Sequence, residues 1–231
     1  MLELKEITKI FDKNRIALEG INFQLDKGEF VLLVGPNQAG KTTLLKLISL
    51  EEFPTSGEIV FDQFSSRTIE KKQIPLLRRK MGRIFPDFQL IDDMNVFDNI
   101  ALNLRIGGVE EGKIKKQVHR VMEMVGLSRK DGCFPHQLSA GEKQKVACAR
   151  AMVKEPLLLL ADEPTLNLDQ KSSDEILELL QQINIMGTSV LLATCDSHLR
   201  VGGHARIIRL DRGKLVKPTC DGLKITSPVL L

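Results

Sequence analysis

Nine consecutive residues, Gly35-Pro36-Asn37-Gln38-Ala39-Gly40-Lys41-Thr42-Thr43, have the types and spacing of a phosphate cradle. They follow the form G-x-x-x-x-G-K-[ST] and stand between the apolar run 30–34 and Leu44-Leu45-Lys46-Leu47-Ile48, the strand, loop and helix order that phosphate binding needs. In such a loop, successive backbone N–H groups and the positive end of the helix converge on the β- and γ-phosphates of a nucleotide. Lys41 is then expected to reach the outer phosphates and Thr42 to offer its hydroxyl to magnesium. A second group lies in Leu157-Leu158-Leu159-Leu160-Ala161-Asp162-Glu163-Pro164, which reads as a buried strand ending in two carboxylates. Running beside the phosphate-loop strand, it would let Asp162 hold the magnesium water shell and Glu163 orient or deprotonate an attacking water. A nucleotide and Mg2+ are the cofactors this chemistry requires.

The elements that must position these groups follow from periodicity. Leu2 to Ile7 alternates like an edge strand, and Ile21 to Leu25 alternates again before an Asp26-Lys27-Gly28 turn, so a small antiparallel sheet is expected first. Phe11, read as a loop residue between them, either stacks on an adenine ring or simply packs. Pro54 to Gly57 is a turn, Glu58 to Phe61 a strand, Gln73 to Lys80 a short helix and Met81 to Phe85 a further strand. The loop Pro86-Asp87-Phe88-Gln89-Leu90-Ile91 is rich in apolar residues, which fits either a partner contact or plain packing. Val96 to Ile106 and Ile114 to Val125 have helical spacing around Gly107-Gly108, and Lys113, Lys115, Lys116 and Arg120 form a solvated face or a contact for anionic headgroups. Ser139 is an expected N-cap, with Glu142 completing a capping box ahead of a helix over Lys143 to Lys154. A helix from Ser172 to Ile185 and strands from Ser189 to Thr194 and from Arg206 to Leu210 complete an alternating α/β pattern.

Composition narrows the function classes. The 231 residues are 42% apolar and 27% charged, ordinary globular values, and a net charge of +3 is too small to argue for a nucleic-acid partner. There is no Trp or Tyr for base stacking, only ten Phe. Cys133, Cys148, Cys195 and Cys220 form no C-x-x-C pair, which fits a reduced cytoplasmic setting with buried structural thiols. The amino-terminal residues lack a signal peptide's apolar centre, and no run approaches the roughly 18 apolar residues of a membrane span.

With the phosphate loop, Leu138-Ser139-Ala140-Gly141-Glu142, the 157–164 strand and Asn167-Leu168-Asp169 in this order, residues 1–216 resemble an ABC-type ATP-binding cassette. Four stretches make the likeness to the FtsE cell-division subunits most specific: Leu77-Arg78-Arg79-Lys80-Met81-Gly82, Phe97-Asp98-Asn99-Ile100-Ala101-Leu102, Phe134-Pro135-His136-Gln137-Leu138-Ser139 and Ala161-Asp162-Glu163-Pro164-Thr165. The lipoprotein-release and macrolide-export cassettes are the next likeness. The resemblance implies a single domain: a P-loop NTPase (RecA-like) core with its antiparallel β subdomain in 1–86 and 156–216, an α-helical subdomain at about 87–155, and a tail at 217–231. It also implies a homodimer in the ATP-bound state, in which each nucleotide lies between the phosphate loop of one chain and Ser139, Ala140 and Gly141 of the other, with Asp169 among the ATP-binding residues. The implied partner is an FtsX-like membrane permease docked on the loop from Phe85 to Ile91 and the following helix, which sets the chain peripherally on the cytoplasmic face of the inner membrane. Hydrolysis of ATP to ADP and phosphate would signal through that partner in cell division. The alternatives are a nucleotide-binding scaffold with little turnover and the ATPase of a lipoprotein or export transporter.

Four positions depart from the family pattern. Pro86 stands where the family has a Gln that touches magnesium and the lytic water, and Cys195 stands where it has a His that contacts the γ-phosphate. Gln38 replaces a loop Gly, and Ala140 replaces the first Gly of the signature. Gln89, three residues on, could take the role lost at Pro86 if the loop is re-routed, whereas His198, close to Cys195 in sequence, is expected to point elsewhere. Intact binding with weakened hydrolysis is the expected result.

Overall fold

The computed structural model describes residues 1–12, 15–196, 199, 201–202 and 205–216; His198, Cys220 and the tail 217–231 lie outside them. In chain order the elements are β1 (Leu2–Phe11), β2 (Arg15–Leu25), β3 (Phe30–Val34), α1 (Lys41–Ile48), β4 (Ser56–Phe61), β5 (Phe64–Ser65), α2 (Ile74–Arg79) and β6 (Met81–Ile84). They continue with α3 (Val96–Ile106), α4 (Glu111–Met124), α5 (Ala140–Met152), β7 (Leu158–Asp162), α6 (Gln170–Ile185), β8 (Ser189–Thr194), β9 (Arg206–Asp211) and β10 (Lys214–Val216). The strands form two sheets, one antiparallel in the order β2-β1-β4-β5 and one in the order β10-β9-β3-β8-β7-β6. The second is parallel throughout except for β10.

β3, β7 and β8 read as unbroken apolar runs because both faces of their sheet are covered. Phe30 and Leu32 point into one core with Leu159, Ala161, Val190 and Leu192, under α3, α4, α5 and α6. Val31 and Leu33 point into the other, with Leu158, Leu160, Leu191, α1 and the antiparallel sheet. A one-residue slip of β3 would exchange these two sets, so the cores fix its register and with it the height at which the phosphate loop leaves the sheet.

Two sequence expectations are corrected. β1 is interior, pairing with β2 on one side and β4 on the other; alternation reports one buried face and is silent on whether the second edge is paired. The strand ending in Asp162 does not run beside the phosphate-loop strand, because β8 lies between them, with Leu33 level with Ala193 and Ala193 level with Asp162. In a doubly covered parallel sheet the neighbouring strands carry the same apolar pattern, so their order is not encoded there. The capping box at Ser139 is as expected, but its helix begins at Ala140: Glu142 N donates to Ser139 Oγ at 3.2 Å and Ser139 N to the Glu142 carboxylate at 2.9 Å.

One buried polar side chain shapes the loop after β6. Asn99, 1% exposed on α3, accepts from Ile91 N at 2.8 Å and donates to the carbonyls of Ile91, Met94 and Asn95 at 3.0, 2.9 and 3.1 Å. Asn99→Ala leaves these groups unpaired and is expected to cost about 2–3 kcal/mol in chemical denaturation, with faster proteolytic nicking between Asp87 and Asn95.

Candidate nucleotide site

β3 ends under the loop 35–40, which turns into α1 through Gly40 at φ 107°. A side chain there would bring its Cβ within 2.7 Å of the Ala17 carbonyl. Gln38 also lies in the left-handed region, at φ 66°, so the loop holds its turn at a position where a side chain costs roughly 1 kcal/mol. Lys41 is 6% exposed, and its Nζ donates to the carbonyls of Gly35 at 2.7 Å and Pro36 at 3.1 Å and faces Glu163 Oε1 at 3.3 Å. Asn37, Gln38, Gly40, Lys41, Thr42, Thr43 and Glu163 line one cavity, which continues outward to Arg15, Ile16, Ala17 and the Arg212-Gly213 turn. Ala39 is buried beneath it and accepts from Gly213 N at 3.0 Å.

The two carboxylates at the end of β7 differ in environment. Asp162 is 2% exposed, and burial pushes its carboxyl above the usual range, against a hydrogen bond from the Thr42 hydroxyl and the field of Arg83. Its Oδ1 is buried without a partner. A lone carboxylate oxygen beside a threonine hydroxyl is a donor set that fits a hard divalent cation such as magnesium, which keeps most of its shell from water and phosphate. Arg83, a charged residue within the apolar strand β6, was overlooked in the sequence; it donates to Ser49 Oγ at 3.1 Å and pairs with Glu51. Glu163 begins the turn after β7 at φ 46°, with its N–H donating to the Ala193 carbonyl at 2.9 Å.

Cys195, the residue after β8, comes to the same carboxylate. Burial and the charge of Glu163 raise its thiol. It is therefore a neutral donor at pH 7, not a thiolate. Of the described cysteines only Cys148 is buried, its thiol pushed up to about 12; Cys133 is half-buried and Cys195 exposed, so the expectation of buried structural thiols holds for one of the three. Pro86 sits in a turn closed by Phe88 N and the Phe85 carbonyl at 3.4 Å, and Phe88 and Gln89 follow at φ 60° and 46°. Arg150 of α5 clamps this turn by donating to the carbonyls of Phe88 and Gln89.

Other residues anticipated from the sequence lie apart. Phe11 is the last residue of β1, not a loop residue; it pairs with Arg15, its ring is flanked by Lys9 at 4.9 Å and Arg15 at 5.5 Å, and it does not line the cavity. Ser139, Ala140, Gly141 and Asp169 do not line this cavity, and Gly141 is linked to Asp169 through Ser172. Asp169 caps α6 by accepting from Ser172 N at 2.9 Å and Ser172 Oγ at 2.7 Å, and a Cβ on Gly141 would come within 2.7 Å of that same Oγ.

A phosphate loop at the end of a parallel strand, a buried carboxylate two strands away and a separate capped signature turn define a P-loop nucleotide-binding protein of cassette type. The family model described as ABC transporter matches residues 18–166. The chain is 43% identical over 224 residues to the cell division ATP-binding protein FtsE of Mycobacterium tuberculosis, covering 96% of this chain and 97% of that one. It is 41% identical over 215 residues to FtsE of Escherichia coli, covering 93% and 97%. Among solved structures, a dimeric ATP-binding cassette in a post-hydrolysis state bound to ADP and Pi superposes with a TM-score of 0.85 at 33% identity, covering 94% of this chain and 97% of that one. The chain belongs to the FtsE family of ABC transporter ATP-binding cassettes.

Because its pKa is raised in the fold, ionised Asp162 costs stability above the ordinary carboxylate range, and the cost fades as pH falls below that range. Asp162→Asn is expected to raise the melting temperature of the nucleotide-free protein at pH 7 by about 3 °C for each ~1 kcal/mol relieved, with no gain near pH 3, while removing the magnesium dependence of nucleotide binding. Thermal melts across pH, with and without Mg2+ and ATP, check both halves.

Proposed function

We propose that this chain works as the ATP-binding, ATP-hydrolysing subunit of an FtsEX-like complex, with the residues around Lys41 and Glu163 as its reaction centre. The observation that carries the reading is the placing of one buried ammonium between two phosphate-loop carbonyls and the Glu163 carboxylate, beside a buried Asp162 oxygen with no partner. An arriving γ-phosphate competes with Glu163 for Lys41, frees the carboxylate, and takes up the charge that the pair neutralised. Glu163 then accepts the proton of the water that attacks phosphorus, and ADP and phosphate result. Thr42 and Asp162 would hold magnesium, which when bound neutralises charge on the β- and γ-phosphates.

The family's dimer supplies what one chain lacks. Ser139, Ala140, Gly141 and Asp169 complete the nucleotide site of a second copy, each chain giving half of both sites. A membrane permease of FtsX type is the partner, and the loop around Pro86 to Ile91, clamped by Arg150 and anchored by Asn99, is its docking surface. With that permease as its partner, the chain would lie peripherally on the cytoplasmic face of the inner membrane; no helix among the described residues is long and apolar enough to cross a membrane.

Pro86 and Cys195 favour slow turnover. Proline offers neither a side-chain amide nor an N–H to the attacking water, and the thiol of Cys195, held neutral, is a weak donor that cannot take up charge as an imidazole would. These two residues also favour a second reading, a nucleotide-gated scaffold with little hydrolysis. Phosphate release by the purified protein, alone and with its co-purified membrane partner, separates the two. Slow wild-type turnover, a further loss of roughly a hundredfold in Glu163→Gln and a gain of roughly tenfold or more in Pro86→Gln plus Cys195→His are expected. Turnover absent in wild type but present in the double variant would establish the scaffold.

A further inference from the structure

The outer wall of the nucleotide cavity is formed by the β9–β10 hairpin. Asp211 pairs with Lys214, leaving a two-residue turn of Arg212 at φ 45° and Gly213 at φ 77°, the signs of a type I′ turn. Asn, Asp or Gly is the relaxed choice at the first of these positions, and a long side chain there is strained. The turn is fastened from both sides: Gly213 N donates to the Ala39 carbonyl inside the phosphate loop at 3.0 Å, and the Gly213 carbonyl accepts from Glu19 N at 2.9 Å. Its position is therefore set by the loop that cradles the phosphates. Arg212 lines the cavity mouth, and among the described residues it has no hydrogen bond, ion pair or aromatic contact. Arg15 lines the same mouth from β2, stacked on Phe11.

A strained residue that satisfies nothing in its own fold points to a task outside the fold. We infer that Arg212 is an affinity-determining residue of the nucleotide site, donating to the phosphate nearest the sugar. The inference rests on the ATP-binding reading above. Lys41 is the buried cation of the cavity, where the outer phosphates belong, and Arg212 is exposed on its rim, so a cation there meets the opposite end of the phosphate chain. A guanidinium is suited to this because it is always charged and presents a fork of donors to phosphate oxygens. The contact is common to ATP and ADP and survives hydrolysis, so Arg212 would retain the diphosphate product as well as the substrate.

The test is equilibrium binding of ATP and of ADP, by calorimetry, to wild type, Arg212→Asn and Arg212→Lys, with melting temperatures measured alongside. Asn suits the left-handed turn and removes the charge, so Arg212→Asn is expected to melt no lower than wild type while its affinity for both nucleotides falls by roughly fivefold to tenfold. Arg212→Lys is expected to keep most of the affinity. The gap between wild type and Arg212→Asn should narrow between 0.1 and 1 M salt, as the screening length falls from about 10 Å to about 3 Å. Unchanged affinity in Arg212→Asn would overturn the inference, as would a loss confined to ATP, which would mean a contact with the terminal phosphate. Failure of the wild-type protein to bind either nucleotide would overturn the functional reading and this inference with it.

Discussion

A buried ammonium cannot be left alone in a protein interior, and the site is arranged around that constraint. Lys41 is enclosed by the loop that precedes it, and its three donors are met by two backbone carbonyls and one carboxylate. The carbonyls belong to a loop whose path is fixed by glycine at Gly40 and by the register of β3 between two cores. The carboxylate belongs to another strand end and is the one replaceable partner. The ion pair therefore links the nucleotide pocket to the group that would activate the attacking water, and anything that draws Lys41 toward phosphate also releases Glu163.

The strand order gives that link its third member. Because β8 separates β3 from β7, the segment leaving β8 emerges between the phosphate loop and the two carboxylates, and Cys195 lies there. A residue at this point can sense both the outermost phosphate and the base. Its thiol is raised by burial and by Glu163, so it remains a neutral hydrogen-bond donor across the physiological range and cannot take up charge as an imidazole would. The loop after β6 is constrained differently. Proline at position 86 fixes one backbone angle, two residues with positive φ follow, Arg150 donates to their carbonyls, and Asn99 holds the backbone of Ile91 at the loop's far end. A segment fixed this firmly can transmit force between a docked partner and the site, but it has little freedom to reach toward a water molecule.

The sequence was most legible where a chemical motif coincided with a periodic one. The phosphate loop, the capping box at Ser139 and the carboxylates after an apolar run each join a required residue type to a required element, and each appears where those rules put it. Strand order was illegible, because adjacency in a doubly covered parallel sheet depends on which cores close over it and not on any one strand's pattern. Phe11 was misread as a loop residue because β1 extends through it with several register shifts, which break the alternation that would have marked the strand. Arg83 and Arg212 were passed over for opposite reasons. One is a cation inside an apolar strand and the other a cation in a turn, and both become informative only once their neighbours are known, Asp162 for the first and the phosphate loop for the second.

The family's dimer, the membrane partner and the hydrolysis step all depend on nucleotide entering between Lys41 and Glu163. A crystal structure of the protein with Mg2+ and a non-hydrolysable ATP analogue tests this most directly. The expected result is a terminal phosphate lodged between the Lys41 ammonium and the Glu163 carboxylate, with the ion pair opened and density for the cation or its water beside Asp162 Oδ1. Phosphates bound elsewhere, with Lys41 and Glu163 still paired and Asp162 Oδ1 still without a partner, would contradict the account.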